Sequence, residues 1–245
     1  GFFEASSKWL QLSTLLLGSI SFLPATSNYF PRCLTDMTTL THLNLKSLLG
    51  DVVLPALLPS LPTQLEVLNL CCNHLKMTED VVARLSQMTR LKALNLSFCS
   101  LSASDLESLT LALANCTDLT TLKLDGNSLG SEVVAALVLR LPQLQVLYLG
   151  FCYLEDDQVA QIIRLLRHLP LRVLNISGNE LGDQSMRALV EWPQLLHLEK
   201  LLMKYSRMYE LDTSSVLVES LQASLCLMDG FVPNCAALFK NNRIR

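Results

Sequence analysis

From Leu119 to Leu129 the chain reads LTTLKLDGNSL, with apolar side chains at Leu119, Leu122, Leu124 and Leu129 and a polar Asn127 where the alternation stops. A short run that alternates in this way marks a strand with one buried face. The same run recurs, starting at Leu12, Leu40, Leu65, Leu91, Leu119, Leu144, Leu171 and Leu198, with spacings of 28, 25, 26, 28, 25, 27 and 27 residues. Three and five residues after each start stand Leu15/Leu17, Leu43/Leu45, Leu68/Leu70, Leu94/Leu96, Leu122/Leu124, Leu147/Leu149, Leu174/Ile176 and Leu201/Met203. Eight coils are predicted, each contributing one short strand whose apolar set faces inward.

Between the strands the apolar period changes from two to that of a helix, over Thr78 to Met88, Ser102 to Cys116, Ser131 to Leu141, Asp156 to Leu169 and Asp183 to Trp192. Ser104 with Glu107 has the spacing of a capping box, and Glu132, Asp156, Asp157 and Asp183 lie where a carboxylate meets the positive end of a helix. Pro142, Pro170 and Pro193 stop three of these segments ahead of the next strand, and Pro62 stands in the same place ahead of the strand that follows Leu65. Helices about 10 Å across, set outside strands about 4.8 Å apart, force such a stack to curve with its sheet inward.

The eighth position after each start reads Ile20, Leu48, Asn73, Cys99, Asn127, Cys152, Asn179 and Ser206. An Asn there can bond the unpaired backbone groups of the turn leaving the strand, and Cys can do a weaker version of the same. Coils of 25 to 28 residues with this Asn/Cys alternation, as in LNLCCNHL, LNLSFCSL, LKLDGNSL, LYLGFCYL and LNISGNEL, resemble the ribonuclease-inhibitor-like class of leucine-rich repeat. The resemblance runs from Leu12 to about Met208. It implies an α/β solenoid: a horseshoe of about eight coils with a parallel concave β-sheet, convex helices, and binding most often on the concave side. We therefore expect a single domain over residues 1–245. Residues 1–39 form an atypical first coil or N-terminal cap, 40–208 the regular repeats, and 209–245 a C-terminal cap that includes a closing helix at Thr213 to Cys226.

Half of the 245 residues are apolar, enough for a long continuous core, and the formal net charge of -3 gives no global drive toward nucleic acid or an anionic membrane. The run from Leu10 to Leu23 is shorter than the roughly 18 residues a membrane span needs and is broken by Gln, Ser and Thr. Eight cysteines would suit a disulfide scaffold only in a smaller chain. Cys99 and Cys152 fall where the repeat wants a small buried residue, so free thiols and a cytosolic setting are expected. Sequons at Asn95, Asn115 and Asn175 agree, since two of the three would put glycans on the inner sheet.

Chemistry is sparse. The triplet Glu155, Asp156, Asp157 opens a helix and lacks spaced partner ligands, and His42, His74, His168 and His197 fall into no metal-binding spacing. GNSLG and GNELG lie inside repeat turns and lack the Lys and Ser/Thr of a phosphate loop. Cys235 is followed by Ala236 and Ala237, unlike the acidic motif of the bacterial ubiquitin ligases that carry such repeats. No cofactor, metal, nucleic acid or enzymatic activity is expected.

The side chains that alternate outward from the strands are the candidate binding surface. They are His42, Asn44 and Lys46, then Asn69, Asn95, Lys123 and Asp125, then Tyr148, Asn175, Lys200 and Lys204. The repeated Asn is either a polar filler for an exposed sheet or part of a shallow groove anchored by Tyr148. The lysines, opposed only by Asp125, make that face mildly basic and point to a protein partner with an acidic patch. The resemblance leaves two further readings open: an enzyme regulator (inhibitor or GTPase activator) working through rim loops, and the targeting region of a bacterial effector in a host cytosol.

Overall fold

A computed structural model describes residues 10–19, 30–48, 53–193 and 195–208. Eight three-residue strands form one open parallel sheet. They are β1 (Thr14–Leu16), β2 (His42–Asn44), β3 (Val67–Asn69), β4 (Ala93–Asn95), β5 (Thr121–Lys123), β6 (Val146–Tyr148), β7 (Val173–Asn175) and β9 (Lys200–Leu202), stacked in chain order. The register is that of the sequence repeat: Leu43 lies opposite Leu68, Leu68 opposite Leu94, and so on to Leu174 opposite Leu201. A short β8 (Glu180–Leu181) pairs with β10 (Arg207–Met208) in a separate two-stranded ribbon.

The helices between strands are α1 (Phe30–Asp36), α2 (Val53–Leu57), α3 (Glu79–Ser86), α4 (Ala103–Ala112), α5 (Ser131–Arg140), α6 (Asp156–Leu166) and α7 (Asp183–Val190). The last five agree with the helical segments read from the sequence. α1 and α2 carry no such strong period and are short. Every inward leucine from Leu40 to Leu201 in the strands and their approaches is buried, whereas Leu12 and Leu17 of the first coil are only partly so. Each fully buried leucine contributes about 1.5–3 kcal/mol, so the core is one continuous column rather than a set of local clusters. The expected closing helix at Thr213 to Cys226 lies outside the described residues.

One helix start differs from expectation. The capping box of α4 is Ser102 with Asp105, not Ser104 with Glu107: the Asp105 N–H donates to Ser102 Oγ at 3.3 Å and the Ser102 N–H to Asp105 Oδ2 at 3.0 Å. The reason lies one residue upstream, where the Leu101 side chain is buried and its N–H donates to Asn127 Oδ1 at 3.1 Å. That bond pins the chain so that Ser102 is the residue at the cap, and Ser104 already sits in the first turn.

The Asn/Cys column is buried as the alternation predicts, at Asn73, Cys99, Asn127, Cys152 and Asn179. Asn127 makes two bonds in each direction. Its Oδ1 accepts from the N–H groups of Cys99 (3.2 Å) and Leu101, and its Nδ2 donates to the carbonyls of Leu96 and Leu124, both at 2.9 Å. Asn179 repeats the set with Cys152, Leu154, Leu149 and Ile176. Cys99 Sγ donates to Leu70 O at 3.1 Å and Cys152 Sγ to Leu124 O at 3.4 Å. Burial pushes both thiols up to about 12, which keeps them protonated as donors. The amides stand two coils apart, so the ladder runs from amide to backbone.

Candidate functional site

The strand residues that alternate away from the core line the open face of the sheet, half-exposed where the leucines between them are buried. Register then decides which candidates meet. Lys123 on β5 lies directly opposite Tyr148 on β6, and its Nζ sits 4.5 Å from the centre of the tyrosine ring. This is cation–π geometry, and it holds the lysine against an aromatic plane in the middle of the sheet. Lys46 lies toward one end, and Lys200 and Lys204 toward the other, all exposed. His42, on β2 near Lys46, shares a 2.9 Å bond between its Nδ1 and Thr41 Oγ1.

The recurring asparagines have a structural task. In each of Asn44, Asn69, Asn95 and Asn175 the side-chain oxygen accepts from the backbone N–H two residues on, at Lys46, Cys71, Ser97 and Ser177, all at 3.0 Å. This Asx turn ends the strand and starts the bend above it. At least half of each amide is therefore committed to shape.

Asp125 is equally committed. Its Oδ1 accepts from the Gly150 N–H at 2.7 Å and from Asn175 Nδ2 at 3.0 Å, and its Oδ2 accepts from Ser97 Oγ at 3.1 Å. Burial raises its carboxyl above the usual range, and these bonds offset the rise only in part. It stitches the Leu91, Leu119, Leu144 and Leu171 coils together rather than pairing with a lysine.

The acidic helix starts behave as helix chemistry. Asp156, in the first turn of α6, accepts from the backbone N–H groups of Gly182 (2.7 Å), Gln184 (3.0 Å) and Ser185 (2.9 Å) at the start of α7. Burial raises its carboxyl, but bonds from Ser185, Gln184 and Gly182 outweigh that and leave it lowered. Arg187 lies on α7 and Arg167 just after α6, where its Nε donates to Arg164 O at 2.7 Å. Cys33, Cys71, Cys72, Cys99, Cys116 and Cys152 are free thiols, with Cys71 and Cys72 sulfurs 3.2 Å apart. No group of three or more His, Cys, Asp or Glu side chains able to hold a metal ion occurs among the described residues.

One feature was not foreseen from the sequence. The residue seven after each coil start has a positive φ throughout: Ser19, Ser47, Cys72, Phe98, Gly126, Phe151, Gly178 and Tyr205. Three of these carry aromatic rings that stay exposed, Phe98 at 50%, Phe151 at 44% and Tyr205 at 78%. The Phe98 ring lies across Gly126 and the Phe151 ring across Gly178, each where a Cβ would stand. The Phe151 and Tyr205 ring centres are 6.3 Å apart, and Tyr153, two residues after Phe151 and itself at positive φ, is 81% exposed. Aligning the coils on their first leucine puts two glycines in that column, which is the signal that could have marked it as left-handed.

Comparison with known proteins agrees with this architecture. Residues 168–190 match the family model described as Leucine Rich repeat. Over 169 residues, 66% of its length, the chain is 32% identical to NACHT, LRR and PYD domains-containing protein 5 of Mus musculus, and it spans only 14% of that protein. Among solved structures, internalin C2 of Listeria monocytogenes superposes with a TM-score of 0.54 at 20% identity, covering 84% of this chain and 77% of that one. A second internalin of the same bacterium, inlF, gives 0.55 at 21% identity over 91% and 62%. The chain is a leucine-rich repeat protein. Arrays of this kind generally work by binding other proteins, and no helix among the described residues is long and apolar enough to cross a membrane.

Proposed function

We propose that this chain is a non-enzymatic interaction module that seats a partner protein on the open face of its sheet, with Tyr148 as the anchor. The observation that carries the reading is the Lys123–Tyr148 pair, with the lysine 4.5 Å from the ring centre on adjacent strands at the middle of the array. Aromatic residues in such central positions tend to supply a large share of binding energy. Lys46, Lys200 and Lys204 add positive charge toward the ends of the same face, while Asp125 is held by Gly150, Ser97 and Asn175. The complement is a protein surface with an acidic patch, and association should slow as salt rises. The Asn175 Nδ2 is taken by Asp125, which leaves those of Asn44, Asn69 and Asn95 for polar contact with the partner. A cytosolic setting belongs to this reading and is supported by the buried, protonated thiols of Cys99 and Cys152.

The test is crosslinking capture from lysate with the full chain, followed by affinity measurement on the captured partner. Tyr148→Ala and a Lys123→Glu/Lys204→Glu double variant should keep their melting temperatures and bind at least about tenfold more weakly, a loss of about 1.4 kcal/mol. Unchanged affinity in both, with binding abolished by Arg164→Glu on the outer helix α6, would remove the sheet face from consideration.

A further inference from the structure

The upper edge of the sheet, where the chain turns from strand to helix, differs from the lower edge. At the lower edge four of the residues one after a coil start pair with one another, Lys92 with Glu66 and Arg172 with Glu199. At the upper edge stands the aromatic row Phe98, Phe151 and Tyr205, with Tyr153 two residues after Phe151. These rings occupy a backbone conformation that bulky residues rarely adopt, at φ between 55 and 59°, in a column where the Leu119 and Leu171 coils use glycine. Strain retained at exposed positions is characteristic of sites kept for binding rather than for stability. Because Phe98 leans over Gly126 and Phe151 over Gly178 toward Tyr205, three rings cover five coils as one apolar strip.

Charge is divided along that strip. On its sheet side lies Lys204, one residue before Tyr205, while Asp125 in the same repeat position is held by Gly150, Ser97 and Asn175. On its helix side lie the exposed carboxylates Glu132, Glu155 and Asp157, in or just before the first turns of α5 and α6. Four strand spacings of about 4.8 Å make the strip about 19 Å long, which is the length of a helix of about 13 residues. A helix about 10 Å wide also reaches past both sides of a single row of rings, whereas an extended segment presents alternate side chains to the row and away from it.

We propose that the aromatic edge docks an amphipathic helix of a partner protein, its apolar stripe on Phe98, Phe151 and Tyr205. Its basic flank faces the helix-start carboxylates Glu132, Glu155 and Asp157, and its opposite flank is polar, meeting Lys204 at one end of the strip. The inference rests on the reading of the chain as a protein-binding module and adds a second contact surface with a defined partner chemistry.

A display library of random 15-residue peptides, selected on the full chain at low salt, tests it. Enriched peptides should carry Leu, Ile, Met or Phe at i, i+4 and i+7 with basic residues on one flank. Their affinity, read by fluorescence anisotropy, should fall at least tenfold on a Phe98→Gly/Phe151→Gly variant. That variant should melt at the wild-type temperature or above, because glycine relaxes both left-handed positions. A lower melting temperature with unchanged peptide affinity would show the rings to be structural and overturn the proposal. Peptides that ignore the ring variant but are lost on Tyr148→Ala would overturn the docking edge and leave the sheet-face reading standing. No enrichment, or binding indifferent to both variants, would overturn the docking edge, while the sheet-face reading stands or falls on the captured partner.

Discussion

At the turn leaving the strand, the Leu91 and Leu119 coils meet the same difficulty differently. Each must satisfy backbone N–H groups turned toward the core. The Leu91 coil, whose buried residue is Cys99, uses two left-handed residues, Phe98 and Ser100, to aim the N–H groups of Cys99 and Leu101 at Asn127 Oδ1 in the next coil. The Leu119 coil uses one left-handed residue, Gly126, and sends the Leu129 N–H to the backbone carbonyl of Cys152 at 3.4 Å. The Asn coils thus supply side-chain atoms that complete the Cys coils, and the Cys coils return a carbonyl. Neither turn is complete alone.

The largest test of this asymmetry is Asn127→Leu. It strands two N–H groups and the Leu96 carbonyl in the core and leaves the Leu124 carbonyl only the Cys152 thiol, and at about 1–3 kcal/mol for each unsatisfied group the loss should reach at least about 3 kcal/mol. Asn95→Ala, which frees a single N–H, that of Ser97, should cost about 1 kcal/mol in the same denaturant melts. Equal losses would mean that the strand faces are misassigned. Cys99→Ala comes next. It removes a weak thiol donor to Leu70 and leaves a small void, so a loss of about 1 kcal/mol is expected, and a loss as large as that of Asn127→Leu would erase the distinction between the two turns.

The smallest effect concerns Asp125, which crosses from an Asn coil to both neighbouring Cys coils. Its folded pKa is raised by burial, so the native state binds the proton more tightly than the unfolded chain does. Its contribution is therefore fullest below the ordinary carboxylate range and declines as pH rises through the raised value. Asp125→Asn can keep an acceptor for Gly150 and a donor for Ser97 without a buried charge, so thermal melts from pH 3 to 7 should lose part of their downward slope. A variant profile parallel to wild type would mean that Asp125 is not a source of that dependence.

Strand positions, the five long helices and the buried Asn/Cys column were legible because each follows from a period: two for the strands, near 3.6 for the helices, two coils for the column. The candidate site was less so. Asn44, Asn69, Asn95 and Asn175 recur at the right places for either a groove or an Asx turn, and only the bond to the residue two ahead separates these. Ser102–Asp105 and Ser104–Glu107 have identical spacing, and the choice between them is made by Asn127 in another coil. Phe98, Phe151 and Tyr205 were hidden because an aromatic residue in a turn carries no periodic signal. The glycines sharing their column supply it only once the coils are aligned.

The reciprocal turns also set the grain at which this array can be edited. Excising residues 119–170 would join the Leu91 coil to the Leu171 coil, presenting Asn179 to the turn that Asn127 completed and Gly178 to the ring that Gly126 received. Excising residues 119–143 alone would set two Cys coils in succession, with no amide for the first and a second ring where the first needs a glycine. The smallest unit this protein can gain or lose without a seam is a pair of coils.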